Sequence, residues 1–354
     1  VPTPDRSPDD CRSIGGWHDV AVRKIGLLGA TGYTGRLTAT EFAVRGLDVR
    51  LGARSAERLK KVDGTEGCER VTVDTSDPRA LAAFMADLEV VISTVGPFTS
   101  LGRPVVDAAV KAGVHYVDST GEPGFMQELY DAFRSADTAV VPACGFDYVP
   151  GDCAASVAVA ALGEPVETVR VGYSLKGMRP TRGTAMSAIE AASVEPNPRL
   201  RRTEIEGAPA IELPWGEDLT VPRWAPGAVV HCAITAPRIA TLVAPLAGPA
   251  TGPLMRVGAP VLKRLASRMA EGPSDEARSR SSTRVVATAA GGGRTATAAV
   301  EVNDVYGFTA LALVECALRV GGAGAMSPAQ AFDAGELLDA MRGPLLSWTR
   351  PVAP

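Results

Sequence analysis

A short apolar run, KIGLL at residues 24–28, passes directly into GATGYTG, with Gly29, Gly32 and Gly35 spaced three apart. That junction constrains the fold more than anything else in the chain. The backbone has to leave a buried strand, turn sharply and enter a helix within a few residues. Glycine allows the turn and lets the backbone come close to a ligand. The new helix offers free N–H groups and the positive end of its dipole, a site suited to a pyrophosphate. The turn residues Gly29, Ala30, Thr31, Gly32, Tyr33, Thr34 and Gly35 are therefore candidate contacts to a dinucleotide.

Up to about Pro150 the chain keeps a regular rhythm. Apolar runs at 24–28, 47–53, 70–74, 89–95, 114–118 and 138–144 read as strands. Helical stretches at 32–46, 55–62, 78–88, 103–112 and 123–135 separate them. Strands alternating with helices imply βαβ units and a parallel sheet. Beyond Pro150 the rhythm changes to a small-residue helix at 152–162, a strand at 166–175 and a helix at 182–192. Later strands are expected at 228–234, 282–290 and 295–302, the last two joined by a hairpin at the GGGR of 291–294. Residues 271–282 are charged and read as exposed. A single helix is expected over 326–343, with Ser327 as its N-cap and Pro328 at its first position. The fold class is thus α/β: a Rossmann-type doubly wound parallel sheet with a second α+β domain. The expected divisions are a disordered N-terminal extension at 1–21, a dinucleotide-binding domain at 22–150, a substrate domain at 151–325, and a C-terminal helix and tail at 326–354.

The end of the second strand bears on the choice of cofactor. NAD binders usually carry Asp or Glu there for the ribose hydroxyls. Here the residues are GARS, with Arg54 and Ser55. A guanidinium can pair with a 2′-phosphate, so NADPH is preferred over NADH. Thr94, Val95, Gly96, Pro97 and Phe98, in STVGPF, end the fourth strand at the carboxyl edge, where ligands of open α/β sheets bind. Asp74 ends the third strand, where it faces the adenine or serves a turn.

Composition excludes other classes. The net charge of −4 and an aromatic content of 5% argue against nucleic-acid binding. The six cysteines include no C-x-x-C pair, and the three histidines are scattered, so no metal site is expected. Scattered cysteines fit a reducing, cytoplasmic setting. The first twenty residues lack the apolar core of a signal peptide; an initial Val fits a non-Met start codon or a processed or truncated end, and one hypothesis is a native start nearer Val20 or Val22, to be checked by the mass of the native protein. Prolines and glycines interrupt the longest uncharged run, 239–255, so no membrane span is expected.

GATGYTG, GARS, ISTVGPF, HYVDSTGE (115–122) and CGFDYVPGD (144–152) together resemble the saccharopine dehydrogenase-like oxidoreductases. RGTAMSAIE (182–190), EGPSDEARSRS (271–281), VYGFTALALVECAL (305–318) and GAMSPAQAF (324–332) narrow the likeness to their actinobacterial branch of trans-acting enoyl reductases. The resemblance covers about residues 24–343. One stretch departs from it. Residues 217–239 lack the acidic-Ser-Thr-Ala run and the Gly-Ile-Pro segment of that branch, which bears on the substrate more than the fold.

The resemblance implies hydride transfer from NADPH to an α,β-unsaturated acyl or polyketide thioester, free or on a carrier protein. Such a site needs a proton donor and a hydrogen bond to the carbonyl oxygen. The loop at 144–152 is expected beside the nicotinamide, with Gly145 against the cofactor and Tyr148 and Asp147 as candidate catalytic groups. The competing reading makes this loop a structural turn in which Asp147 caps the next helix. Cys144 reads as a buried small residue rather than a nucleophile. His231 and Tyr306 are weaker acid candidates, with structural roles as the alternative. Arg179, Arg182 and Arg223 are candidates to grip a carboxylate or phosphate. The Pro-rich run 237–260 suggests a lid or portal, or a contact with a carrier protein or membrane surface, against ordinary packing. Two other functions stay open: a saccharopine-type amino-acid dehydrogenase, and a cofactor-binding sensor without catalysis.

Overall fold

The computed structural model describes residues 23–194 and 200–351, except the side chains of 190–194 and 243–256. The expected extension at 1–21 lies outside the described residues.

The first sheet contains β1 (Ile25–Leu28), β2 (Arg50–Ala53), β3 (Arg70–Thr72), β4 (Val90–Ser93), β5 (His115–Asp118) and β6 (Ala139–Val141). Their spatial order is 3-2-1-4-5-6, all parallel, which is the doubly wound order. Helices cover both faces, so β1 and β4 are buried at every position and read as continuous apolar runs. Register brings Leu28 level with Gly52 on one side and Ser93 on the other. The next residues of β1, β2 and β4 therefore emerge together at one edge, at the switch point between β1 and β4.

The second sheet is built from β7 (Thr168–Lys176), β8 (Arg201–Ile205), β9 (Ala208–Glu212), β10 (Val229–Thr235), β11 (Ser282–Gly291) and β12 (Arg294–Asn303). It is mixed: β7 and β10 are parallel and the other pairs antiparallel. The β11–β12 hairpin is where GGGR predicts it, with Gly292 and Gly293 both at positive φ, as a tight hairpin turn requires. The sequence pattern does not predict the β8–β9 hairpin, because its strands carry charges and few β-branched residues.

The last third of the chain serves both sheets. The helix Val305–Arg319 packs on the helix Tyr33–Val44 of the first sheet. Then β13 (Gly324–Ala325) adds a seventh parallel strand beside β6, and β14 (Leu346–Thr349) closes the second sheet beside β12. One apolar core runs unbroken from Leu27 and Ile92 through Cys153 and Ala158 to Val285 and Val300. The helix Val149–Leu162 carries that continuity. Its Asp152 is fully buried and accepts from Trp224 Nε1 at 3.0 Å and Ala329 N at 2.8 Å, tying in the C-terminal segment.

Two helix expectations need correction. The single helix expected at 326–343 is two, Pro328–Ala331 and Ala334–Ala340, because Asp333 restarts it by accepting from Glu336 N at 2.8 Å. The Pro-rich run is not broken: Arg238–Ala266 is one helix. Pro245, Pro249 and Pro253 recur every four residues, so the missing amide donors line up along one side of the helix. Among the described residues no helix is long and apolar enough to cross a membrane.

Candidate functional site

The common edge of β1, β2 and β4 opens into a cleft of about 1110 Å³ between the two sheets. Its first wall is the glycine turn. Gly29 has φ +85°, and a Cβ there would come within 2.6 Å of Thr94 Oγ1. A Cβ on Gly35 would come within 2.1 Å of the Gly29 carbonyl oxygen, so glycine lets the helix sit close on the strand. No side chain caps the helix Tyr33–Val44 at Gly32, which leaves its first turn available to an anion. These features fit a dinucleotide pyrophosphate.

Gly29, Thr31, Gly32, Tyr33, Thr34, Arg54, Asp74 and the run Thr94–Phe98 all line the cleft. Ala30, Gly35, Ser55 and Gly145 do not. Ala30 is buried, and Gly35 packs helix on strand. Ser55 caps the next helix, accepting from Arg58 N at 3.3 Å. Gly145 is buried, and a Cβ there would lie 3.0 Å from Thr309. Arg54 is exposed at the cleft edge. Asp74 accepts from Ser76 N at 3.0 Å and Ser76 Oγ at 2.8 Å, and these bonds hold its carboxyl below the usual range. Phe98 N is engaged by Glu122 Oε1 at 2.9 Å, so that amide is not free for a cofactor.

Asp147 and Tyr148 also line the cleft. Asp147 does not cap a helix. The helix begins at Val149, Tyr148 stands at its cap position, and neither side chain closes it. The Asp147 carboxylate lies against Gly121, where a Cβ would come within 3.0 Å of Oδ2. Its own amide is its one hydrogen-bond partner among the described residues. Burial pushes its pKa up to about 6. The Tyr148 hydroxyl donates to Gly121 O at 3.3 Å, and its ring meets Trp215 edge-on.

Sequence reasoning missed the third wall. The helix Arg182–Val194 contributes Thr184, Met186 and Ser187, and the turn before the helix Glu217–Trp224 contributes Leu213 and Trp215. Glu122, almost fully buried, ties this wall to the first: it accepts from Thr99 N at 2.8 Å, Thr99 Oγ1 at 2.6 Å and Ser187 Oγ at 2.6 Å. A strap at 271–273 crosses near the glycine turn. Glu271 pairs with Arg36 at 2.9 Å, Arg58 at 2.7 Å and Arg182 at 3.4 Å, and Tyr33 Oη donates to Pro273 O at 2.9 Å. Arg58 lines the cleft one helical turn after Arg54. That spacing of four was the signal available in the sequence.

The remaining candidates lie elsewhere. Cys144 is buried, away from the cleft, and burial pushes its thiol pKa up. His231 pairs with Glu212 at 3.1 Å in the second sheet. The Tyr306 hydroxyl accepts from Thr181 N at 2.9 Å and donates to Arg179 O at 3.1 Å, a structural clasp. Arg223 stacks on Tyr130, 4.1 Å from the ring centre, and donates to Ala325 O at 2.9 Å. The side chain of Arg179 is exposed and outside the cleft. The described residues hold no cluster of His, Cys, Asp and Glu able to bind a metal.

A glycine turn on the carboxyl edge of a doubly wound sheet, opening on a cleft walled by a second domain, defines a Rossmann-type dinucleotide-binding protein. Residues 29–149 match the family model described as NAD(P)H-binding. A Mycobacterium tuberculosis protein provisionally named a trans-acting enoyl reductase is 40% identical over 195 residues, covering 50% of this chain and 46% of the relative. A trans-acting enoyl reductase of Mycobacterium bovis is 42% identical over 139 residues, covering 36% of this chain and 33% of the relative. The chain thus spans less than half the length of these relatives. Apo saccharopine dehydrogenase (L-glutamate-forming) of Saccharomyces cerevisiae superposes with a TM-score of 0.59 at 13% identity, covering 94% of this chain and 100% of that one. The resemblance therefore extends from motifs to fold for saccharopine dehydrogenase and to aligned sequence for the trans-acting enoyl reductases.

Proposed function

We propose that this chain is an NADPH-dependent oxidoreductase that reduces the C=C bond of an α,β-unsaturated acyl or polyketide thioester. The observation that carries this reading is one cleft lined by both the glycine turn and Asp147. The names of the mycobacterial relatives point to the same reaction.

NADPH, when bound, supplies the hydride. The chain's own residues do the rest. The first turn after Gly32 holds the pyrophosphate. Arg54 offers a guanidinium group for a 2′-phosphate, with Arg58, paired to Glu271, in the same lining, and this supports NADPH over NADH. Asp147, with its pKa raised to about 6, keeps part of its proton near neutrality and delivers it to the substrate α-carbon. Tyr148, beside Asp147 in the cleft lining, is the candidate donor to the substrate carbonyl. The walls of the second domain exclude water.

The alternatives fit less well. An amino-acid dehydrogenase needs cations converging on substrate carboxylates, but Arg182 is committed to Glu271, while Arg179 and Arg223 are outside the cleft. A sensor would tolerate a blocked site, and this cleft is open at Asp147. A carrier protein or membrane surface as partner remains part of the proposal, supported by Ile239, Val257, Val261 and Leu265, exposed on the helix Arg238–Ala266. Liposome flotation without binding would remove the membrane version.

The decisive test is fluorescence titration of NADPH and NADH, followed by NADPH oxidation with a panel of enoyl thioesters. Preference for NADPH and turnover of an enoyl thioester are expected. Absence of binding by either cofactor would overturn the reading.

A further inference from the structure

Beyond Asp147 the cleft continues into a smaller cavity of about 130 Å³. The two spaces share Asp147, Thr184, Leu213 and Trp215, so the small one is a side chamber of the large one. Away from that border its lining is largely apolar: Phe146, Leu175, Met178 and Ile234. Tyr173 also lines it, but the Tyr173 hydroxyl is engaged by the Glu217 carboxyl and by Asp147 O, so the chamber gains no free polar group there. Register places Ile234 beside Tyr173 on the parallel strands β10 and β7, on the same face of the second sheet.

Two facts about this chamber call for an occupant. Interiors are close-packed, and unfilled apolar space of this size costs stability. At the border, Trp215 Nε1 is buried and has no hydrogen-bond partner among the described residues. Buried donors are nearly always satisfied, so an orphan on a residue that lines both spaces points to a ligand acceptor.

We infer that the chamber is a substrate subsite, which takes a short apolar substituent carried next to a carbonyl, while Trp215 Nε1 donates to that carbonyl oxygen. An apolar cavity of roughly 150 Å³ accommodates benzene, so the substituent has up to about six carbons. This rests on the proposed reductase reading for the identity of the occupant and adds a size limit at the carbons near the reacting bond. Longer acyl chains must leave through the main cleft.

The test uses the full chain with NADPH present and benzene as the probe, followed by ligand-observed NMR. Saturable benzene binding is expected, weakened about tenfold or more in Ile234→Phe, whose larger ring fills the chamber. NADPH affinity should be the same in both proteins. If Ile234→Phe does not fold, Leu175→Phe serves the same purpose. No saturable binding to the wild type, or binding that both fillings leave unchanged, overturns the subsite. Failure to bind NADPH at all would instead count against the reductase reading, so the two failures are distinguishable.

Discussion

The two walls of the cleft are made in different ways. The cofactor wall is local: seven consecutive residues, 29–35, shape the turn, and neighbouring strand ends add Arg54 and Thr94. The wall proposed for the substrate is assembled from 147–148, 184–187 and 213–215, segments brought together by the packing of the second domain on the first. Local geometry carries a motif that any dinucleotide-binding chain must repeat. The assembled wall carries no such motif, and it is there that the proposed reading puts the choice of substrate. Its polar groups also differ. Those of the cofactor wall are mostly backbone amides, whereas the other wall presents the side chains of Asp147, Thr184, Ser187 and Trp215.

That contrast can be broken in order of effect. Asp147→Asn should lower kcat for enoyl reduction about a hundredfold or more, the usual contribution of a general acid, and leave NADPH affinity alone. The wild-type kcat should fall as pH rises through about 6, because the protonated carboxyl is the active form. The folded pKa is raised above the unfolded value of 3.8, so the group's contribution to stability is fully present below about 3.8 and lost as pH rises through about 6. Asp147→Asn should therefore be more stable than wild type at pH 7 while being far less active, a combination that a purely structural aspartate would not give. Equal activity would remove Asp147 from the chemistry.

Gly35→Ala tests the cofactor wall. The new Cβ meets the Gly29 carbonyl oxygen at 2.1 Å, so overpacking should cost about 1–3 kcal/mol in denaturant unfolding and weaken both NADPH and NADH. Arg54→Ala should act more selectively. Losing a charge-assisted contact to a 2′-phosphate should weaken NADPH about tenfold and leave NADH unchanged. Equal loss for both cofactors would remove Arg54 from 2′-phosphate recognition. The smallest effect is expected from Glu271→Gln, which frees Arg58 and Arg36 from an exposed pairing. It should change stability by about 1 kcal/mol or less and tighten NADPH binding slightly at low salt, since Glu271 then no longer competes with phosphate for Arg58.

Much of the first sheet was legible because strand, turn and helix signals there are short-range. The glycine spacing, the GARS pair and the strand–helix rhythm each depend on neighbours in the chain. The β8–β9 hairpin and the Arg238–Ala266 helix were less legible, because packing outweighs weak strand propensity in one and repeated proline in the other. Trp215 gave no signal at all, and Glu122 only as the end of the motif HYVDSTGE, since what defines both is contact with residues far away in sequence.

By itself the sequence determined the doubly wound sheet, the dinucleotide turn at its switch point and the loop that carries Asp147 and Tyr148. The tertiary structure alone decided that Asp147 faces a cleft instead of capping a helix, that Tyr306 and Arg223 are clasps, and that Arg58 and Glu271 meet in the lining of the cleft. The reason is physical. A turn or a strand is fixed by torsions and alternation within a few residues, whereas the surroundings of a side chain, and with them its pKa and its partners, depend on which distant segment packs against it.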